Sequence, residues 1–144
     1  NAGDAQTVVV IAKDAYGNVC AGSKDKYGAW VGNKVFGDTV HFTSDTDDDP
    51  TYTGELPELP SDYCFTTSDQ GIREFANLVV FYKMGDDRWL KAQDTSYDTI
   101  YGEAAGITVL PGPLGTFVVS PTAATTNVTA GNSIGIIGTA ADSF

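Results

Sequence analysis

Two stretches at opposite ends of the chain are versions of one another, and that repetition limits what the chain can fold into. The first is a β-branched run, Val8-Val9-Val10-Ile11-Ala12, followed by Lys13-Asp14-Ala15-Tyr16-Gly17-Asn18. The second is Gly131 to Phe144, which lies over Gly3 to Tyr16 without a gap at an offset of 128 residues. Gly3/Gly131, Ala12/Ala140 and Asp14/Asp142 are identical, and Val8/Ile136, Val9/Ile137 and Tyr16/Phe144 are close. A β-branched run that ends in Asp-x-x-Gly-Asn reads as a strand stopped by a tight turn. Asp14 is placed to accept backbone N–H bonds, and Gly17 supplies a positive φ. The chain thus begins a strand, completes a domain and begins the strand again. Such an offset is too long for a solenoid and suits a tandem array of whole β-domains.

A chain of 144 residues is enough for one domain with a core of its own. Nineteen Asp and Glu stand against eight Lys and Arg, for a net charge of −11, so nucleic acid is excluded as an expected partner. Acidic, polar composition suits an extracellular protein, at a cell surface or secreted. No apolar run exceeds five residues, and no membrane insertion is expected. The chain opens at Asn1 without Met or a signal-peptide pattern, which fits a processed or excised chain.

Taken in order, Cys20 to Phe36 has no clear period. Gly37 to Ser44 alternates, with Val40 and Phe42 on one face and Thr39, His41 and Thr43 on the other, as in a half-buried strand. An acidic loop with Pro50, Pro57 and Pro60 leads to a short strand at Tyr63-Cys64-Phe65-Thr66, whose aromatics should face inward. Ile72 to Lys83 is the longest strand candidate, and its apolar centre predicts a central or covered position. Arg88 to Asp94 follows, with Leu90 and Ala92 inward and Trp89 and Lys91 outward; Ala104 to Leu110 closes the domain. Pro111-Gly112-Pro113 opens a linker, and strand signals restart at Phe117-Val118-Val119. No stretch of ten or more residues has helical period. The pattern predicts an all-β, antiparallel sandwich of about seven strands.

The ordered landmarks are Ala12 to Asn18, Gly37 to Ser44, Leu59 to Phe65, Gly71 to Phe75, Ala92 to Thr95, Phe117 to Pro121 and Thr129 to Gly131. Together they resemble the bacterial immunoglobulin-like repeats (the Big and invasin-like domains) of large surface proteins. The resemblance covers nearly the whole chain, although Cys20 to Phe36 and Asp45 to Glu58 are longer than the pattern and Cys64 replaces a usual Thr. It implies an immunoglobulin-like sandwich body at residues 1–111, a linker at 112–115, and a segment at 116–144 that starts the next repeat. By that register the body lacks its first strand. Phe117, Val118, Val119, Ile134, Ile136 and Ile137 would then complete a neighbouring domain or another copy, in an adhesin-like array or a filament.

Several other residues carry candidate chemistry of their own. Asp45, Asp47, Asp48 and Asp49, with Asp62 nearby, can gather oxygen ligands for Ca²⁺ or form a solvated acidic loop; no cofactor is required. Pro50 stands where an EF-hand needs Gly. Cys20 and Cys64 suffice for one disulfide, worth about 4 kcal/mol in the chain-entropy model, or for two free thiols. A bridge is the expectation for an extracellular protein, though spacing does not decide it. Tyr27, Trp30 and Trp89 can stack on a polysaccharide, contact a neighbouring subunit, or cover core under a loop. Asn127-Val128-Thr129 is a glycosylation sequon, equally a chance occurrence in a Thr-rich linker. His41 is a lone histidine among threonines, and no carboxylate pair, nucleophile elbow or phosphate loop stands in a catalytic frame. An enzyme is not expected; a carbohydrate-binding or enzyme-accessory module is the alternative to a structural one.

Overall fold

The computed structural model describes residues 1–24, 26–27, 30–31, 38–46, 51–121 and 136–143. Among the described residues ten strands follow in chain order. They are β1 (Ala5–Ile11), β2 (Ser23–Lys24), β3 (Trp30–Val31), β4 (Thr39–Ser44), β5 (Tyr63–Cys64), β6 (Ile72–Val80), β7 (Gly85–Asp94), β8 (Tyr101–Val109), β9 (Leu114–Pro121) and β10 (Ile136–Asp142). Every pairing is antiparallel. One sheet has the order β5-β4-β7-β8, and β1 pairs with β6 in a second. Their inner faces meet in a single core, so residues up to Val109 form a sandwich of six strands. β2 and β3 make a separate two-residue ladder, and β9 and β10 a separate hairpin.

The alternation in β4 sets the sandwich floor: Val40, Phe42 and Ser44 are buried while His41 is exposed. Opposite Phe42 stands Phe75 of β6, the two rings meeting edge-on at 4.9 Å. Tyr63 of β5 packs edge-on against Phe75 at 5.6 Å and Phe65 at 5.8 Å. As expected, Phe65 is buried and Cys64 points outward. The Arg73 guanidinium lies 4.4 Å from the Tyr63 ring centroid, and this edge of the sandwich is closed by aromatic and cation–π contact.

Asp69 ties that edge together. Its carboxylate accepts from the Thr66 N–H at 2.7 Å, the Thr66 hydroxyl at 2.7 Å and the Tyr63 hydroxyl at 2.9 Å, with Arg73 3.5 Å away. Burial alone raises its pKa, but these donors and the Arg73 charge outweigh it and hold the carboxyl below its ordinary value.

β6 is covered, as expected, only toward its end, where Val79, Val80 and Phe81 are buried. It pairs with β1 alone among the described strands, and Leu78 is exposed. Coverage comes at one end only, where Glu58 bridges Val80 through N–H···O bonds of 3.0 and 2.9 Å. Midway, Asn77 takes φ 54° and its N–H donates to the Thr7 hydroxyl at 3.1 Å, where the β1–β6 register shifts between Gln6 and Val8. That bulge keeps Val8 and Val10 turned toward the core and Val9 and Ile11 toward solvent.

Candidate strand-acceptor groove and donor hairpin

The turn after β1 forms as its sequence dictates. The Asp14 carboxylate accepts the N–H groups of Tyr16 and Asn18, each at 2.9 Å, and Gly17 sits at φ 85°. Hydrogen bonds from the Asn18 side chain and N–H lower the Asp14 pKa. Lys13 then bridges Val19, which brings Cys20 back beside Ala12 with its N–H 2.9 Å from the Ala12 carbonyl. This fixes the end of β1. At the other end, the Ala2 and Gly3 N–H groups bond Leu110 and Phe81 carbonyls at 2.7 and 2.9 Å, burying Ala2.

Between these anchors the sandwich is open along one side. β1 and β8 are the facing terminal strands of the two sheets, and each pairs with one neighbour among the described residues. A groove of about 670 Å3 runs between them, walled by Val8 and Val10 of β1 and floored by Val40, Phe42, Leu90 and Ala92. It continues into a second hollow of about 440 Å3 toward Val79 and Val109. The β8 wall is low because small residues face inward: Ala104 pairs with buried Leu90, and Gly102 pairs with Ala92. A Cβ placed on Gly102 would meet nothing within 4 Å. The start of β8 is held by Asp94, whose buried carboxylate accepts the Ser96 and Tyr97 N–H groups at 2.7 and 2.9 Å.

Apolar surface without a sandwich stands elsewhere on the same chain. β9 and β10 pair from Ile136↔Pro121 to Asp142↔Leu114, and Gly112 and Pro113 bond to Asp142 and Ser143 at their base. Phe117 is 68% exposed and Val119 65% exposed, and Val118, Ile136 and Ile137 are exposed as well. Phe117 and Val119 share one face of β9, while Thr116, Val118 and Ser120 share the other. This is the pattern of a strand made to cover a core on one side. Five of the six expected assembly residues therefore lie in one hairpin; Ile134 lies outside the described residues.

The other expected sites fall only partly within the described residues. The Asp45 carboxylate is paired with Arg88, both largely buried, and Asp62 lies 2.6 Å from His41 Nδ1. Each thus meets a cationic or ionisable partner of its own rather than converging on a shared ion. Asp47, Asp48 and Asp49 lie outside the described residues, and no cluster of three or more metal-type ligands exists among the described ones. The expected disulfide is not formed. Cys20 is half-buried beside Ala12 and Cys64 is exposed on β5, each with a free thiol, because β5 turns Cys64 away from the core. Burial pushes the Cys20 thiol pKa up, and the charges of Asp14 and Asp38 add to it. Of the aromatics expected to bind sugar, Tyr27 is exposed in a turn, Trp30 belongs to β3, and Trp89 of β7 is half-buried beside the buried Leu90. Asn127 lies outside the described residues.

The groove between β1 and β8 is absent from the reading of the sequence alone. Its signal was present in the inward positions of β8, where Gly102 and Ala104 alternate as small residues against Ala92 and Leu90. Comparison of the chain with protein-family models, with curated proteins and with solved structures returned no match.

Proposed function

We propose that this chain is an extracellular structural module, immunoglobulin-like in its sandwich, that is joined to copies of itself or to adjacent repeats by strand complementation. The product is an adhesin-like array or a cell-surface filament. The observation that carries the reading is that one chain holds a sandwich open along a strand-wide apolar groove and an apolar strand with no core beneath it. Each half exposes what the other would cover.

The strand order supports the immunoglobulin-like reading. In that frame β1 and β6 correspond to B and E of one sheet, and β4, β7 and β8 to C, F and G of the other. The place beside B, where strand A belongs, is filled by no described residue. The role is mechanical, since the site offers a backbone edge and an apolar floor rather than a paired acid and base.

Transfer of a strand in one direction between identical units is heterologous and does not close, so it propagates. Light scattering of the purified chain is expected to show mass rising with concentration, and electron microscopy to show linear threads one module wide. A strictly monomeric chain up to millimolar concentration would contradict the reading.

A further inference from the structure

β10 lies over residues 8–14, the second half of β1 and the start of the turn after it, at the offset of 128, and the structure shows which strand it pairs with. The hairpin is thus an internal template for filling the groove. Carried back by 128, the pairs Ile136↔Pro121, Ile137↔Ser120, Gly138↔Val119, Thr139↔Val118, Ala140↔Phe117 and Asp142↔Leu114 become pairs of β9 with Val8, Val9, Val10, Ile11, Ala12 and Asp14. We infer that β1 and β10 are interchangeable partners for β9: β9 of one copy leaves its own β10 and pairs antiparallel with β1 of a second copy, with Val119 opposite Val10 and Phe117 opposite Ala12. This rests on the reading that units join by strand complementation, and adds which strand moves, what it leaves and its register.

The side-chain directions in the sandwich test this register independently, because they played no part in deriving it. Residues directly opposite in a ladder share a face. Val8 and Val10 face the core, so the transferred register turns Val119 and Phe117 inward and leaves Ser120 and Val118 beside the solvent-facing Val9 and Ile11. A slip of one residue would put Thr116, Val118 and Ser120 into the groove and Phe117 into water. The larger residue also meets the larger space: Phe117 falls opposite the small side chain of Ala12, which lines the 670 Å3 part of the groove. Pairing with β10 satisfies the β9 backbone but leaves Phe117 and Val119 exposed; pairing with β1 satisfies the same backbone and adds a core. β10 is therefore a holding partner that β1 outcompetes.

Disulfide trapping distinguishes the steps, in full-length chains carrying Cys20→Ser and Cys64→Ser. Opposed residues lie about 4.5–5.5 Å apart between Cα atoms, within disulfide reach. A Val10→Cys, Val119→Cys chain should form intermolecular disulfides in a ladder of oligomers on a non-reducing gel. The exposed pair Val9→Cys, Ser120→Cys should do the same, and guards against misfolding caused by a change at half-buried Val10. A slipped pair, Ile11→Cys with Val119→Cys, should give at least tenfold less. Gly138→Cys with Val119→Cys should lock the hairpin within one chain and abolish assembly until reductant is added; a side chain at Gly138 meets nothing within 4 Å. If locked chains assemble as well as reduced ones, β9 does not leave β10 and the inference is overturned. Assembly with no cross-link in either registered pair overturns the register while leaving strand complementation standing. Failure of the unlocked chains to assemble at all removes both.

Discussion

A full-length chain carrying Phe117→Asp and Val119→Asp is expected to remain monomeric at concentrations where the unaltered chain assembles. Both side chains are exposed in the hairpin, so the change removes no packing from the single chain. Surface substitutions of that kind alter stability by about 0.5 kcal/mol or less. In the proposed assembly the same positions would enter the groove that Val10, Leu90 and Ala92 line. Burying a Phe or Val there contributes about 1.5–3 kcal/mol each, and two losses weaken association by roughly 10²- to 10⁴-fold. A buried unpaired carboxylate adds to that cost. Sedimentation equilibrium reads the association constant and a urea titration reads the sandwich. Assembly equal to that of the unaltered chain would mean that the apolar face of β9 lies outside the interface.

The second large effect belongs to the closed side of the sandwich. Phe75 is buried between Phe42 of β4 and Tyr63 of β5, and Arg73 stands 6.0 Å from its ring centroid. With Val79 it is one of the β6 side chains buried in the core shared with the four-stranded sheet. Phe75→Ala is expected to lower unfolding free energy by about 3–5 kcal/mol, from lost transfer energy and the cavity left behind. Domains of this size hold about 5–15 kcal/mol in total, so the variant sits close to unfolding at 37 °C. Ile72→Ala, at an exposed position on the same strand, is the comparison and should cost under about 1 kcal/mol. A loss below about 1 kcal/mol for Phe75→Ala would show that the aromatic contacts do not hold the two sheets together.

The difference between the two sides of the sandwich explains what the sequence disclosed and what it withheld. Strands with one wet face announce themselves by alternation, and β4 and β7 lie where Val40/Phe42 and Leu90/Ala92 place them. The Asp14–Asn18 turn was legible because its chemistry is local: one carboxylate, two N–H groups and a glycine. For β6 the apolar run allows a central or a covered strand, and the covered alternative holds where Val79 to Phe81 are buried and Glu58 bridges Val80; composition does not separate the two. The free thiols have a different cause. Whether two side chains meet depends on the twist and splay of elements far apart in sequence, and spacing carries none of that. The apolar hairpin was legible in Phe117 to Val119, because a strand pattern after a Pro-Gly-Pro linker stands apart. The groove is a shape between β1 and β8, made largely by residues that are small, and small residues leave little trace in a hydrophobic pattern.

Hydrogen exchange at the amides of β1 tests the central claim most directly, since an edge strand leaves half its N–H groups without a ladder partner. In dissociated chains, alternate amides from Val8 to Ala12 should exchange quickly while those facing β6 are slow. On assembly the fast set should slow to the level of β4 and β7, and amides of the outer β5 edge should not change. If the fast β1 amides keep their rates in assembled material while another element becomes protected, the copies join elsewhere and the groove is not the acceptor.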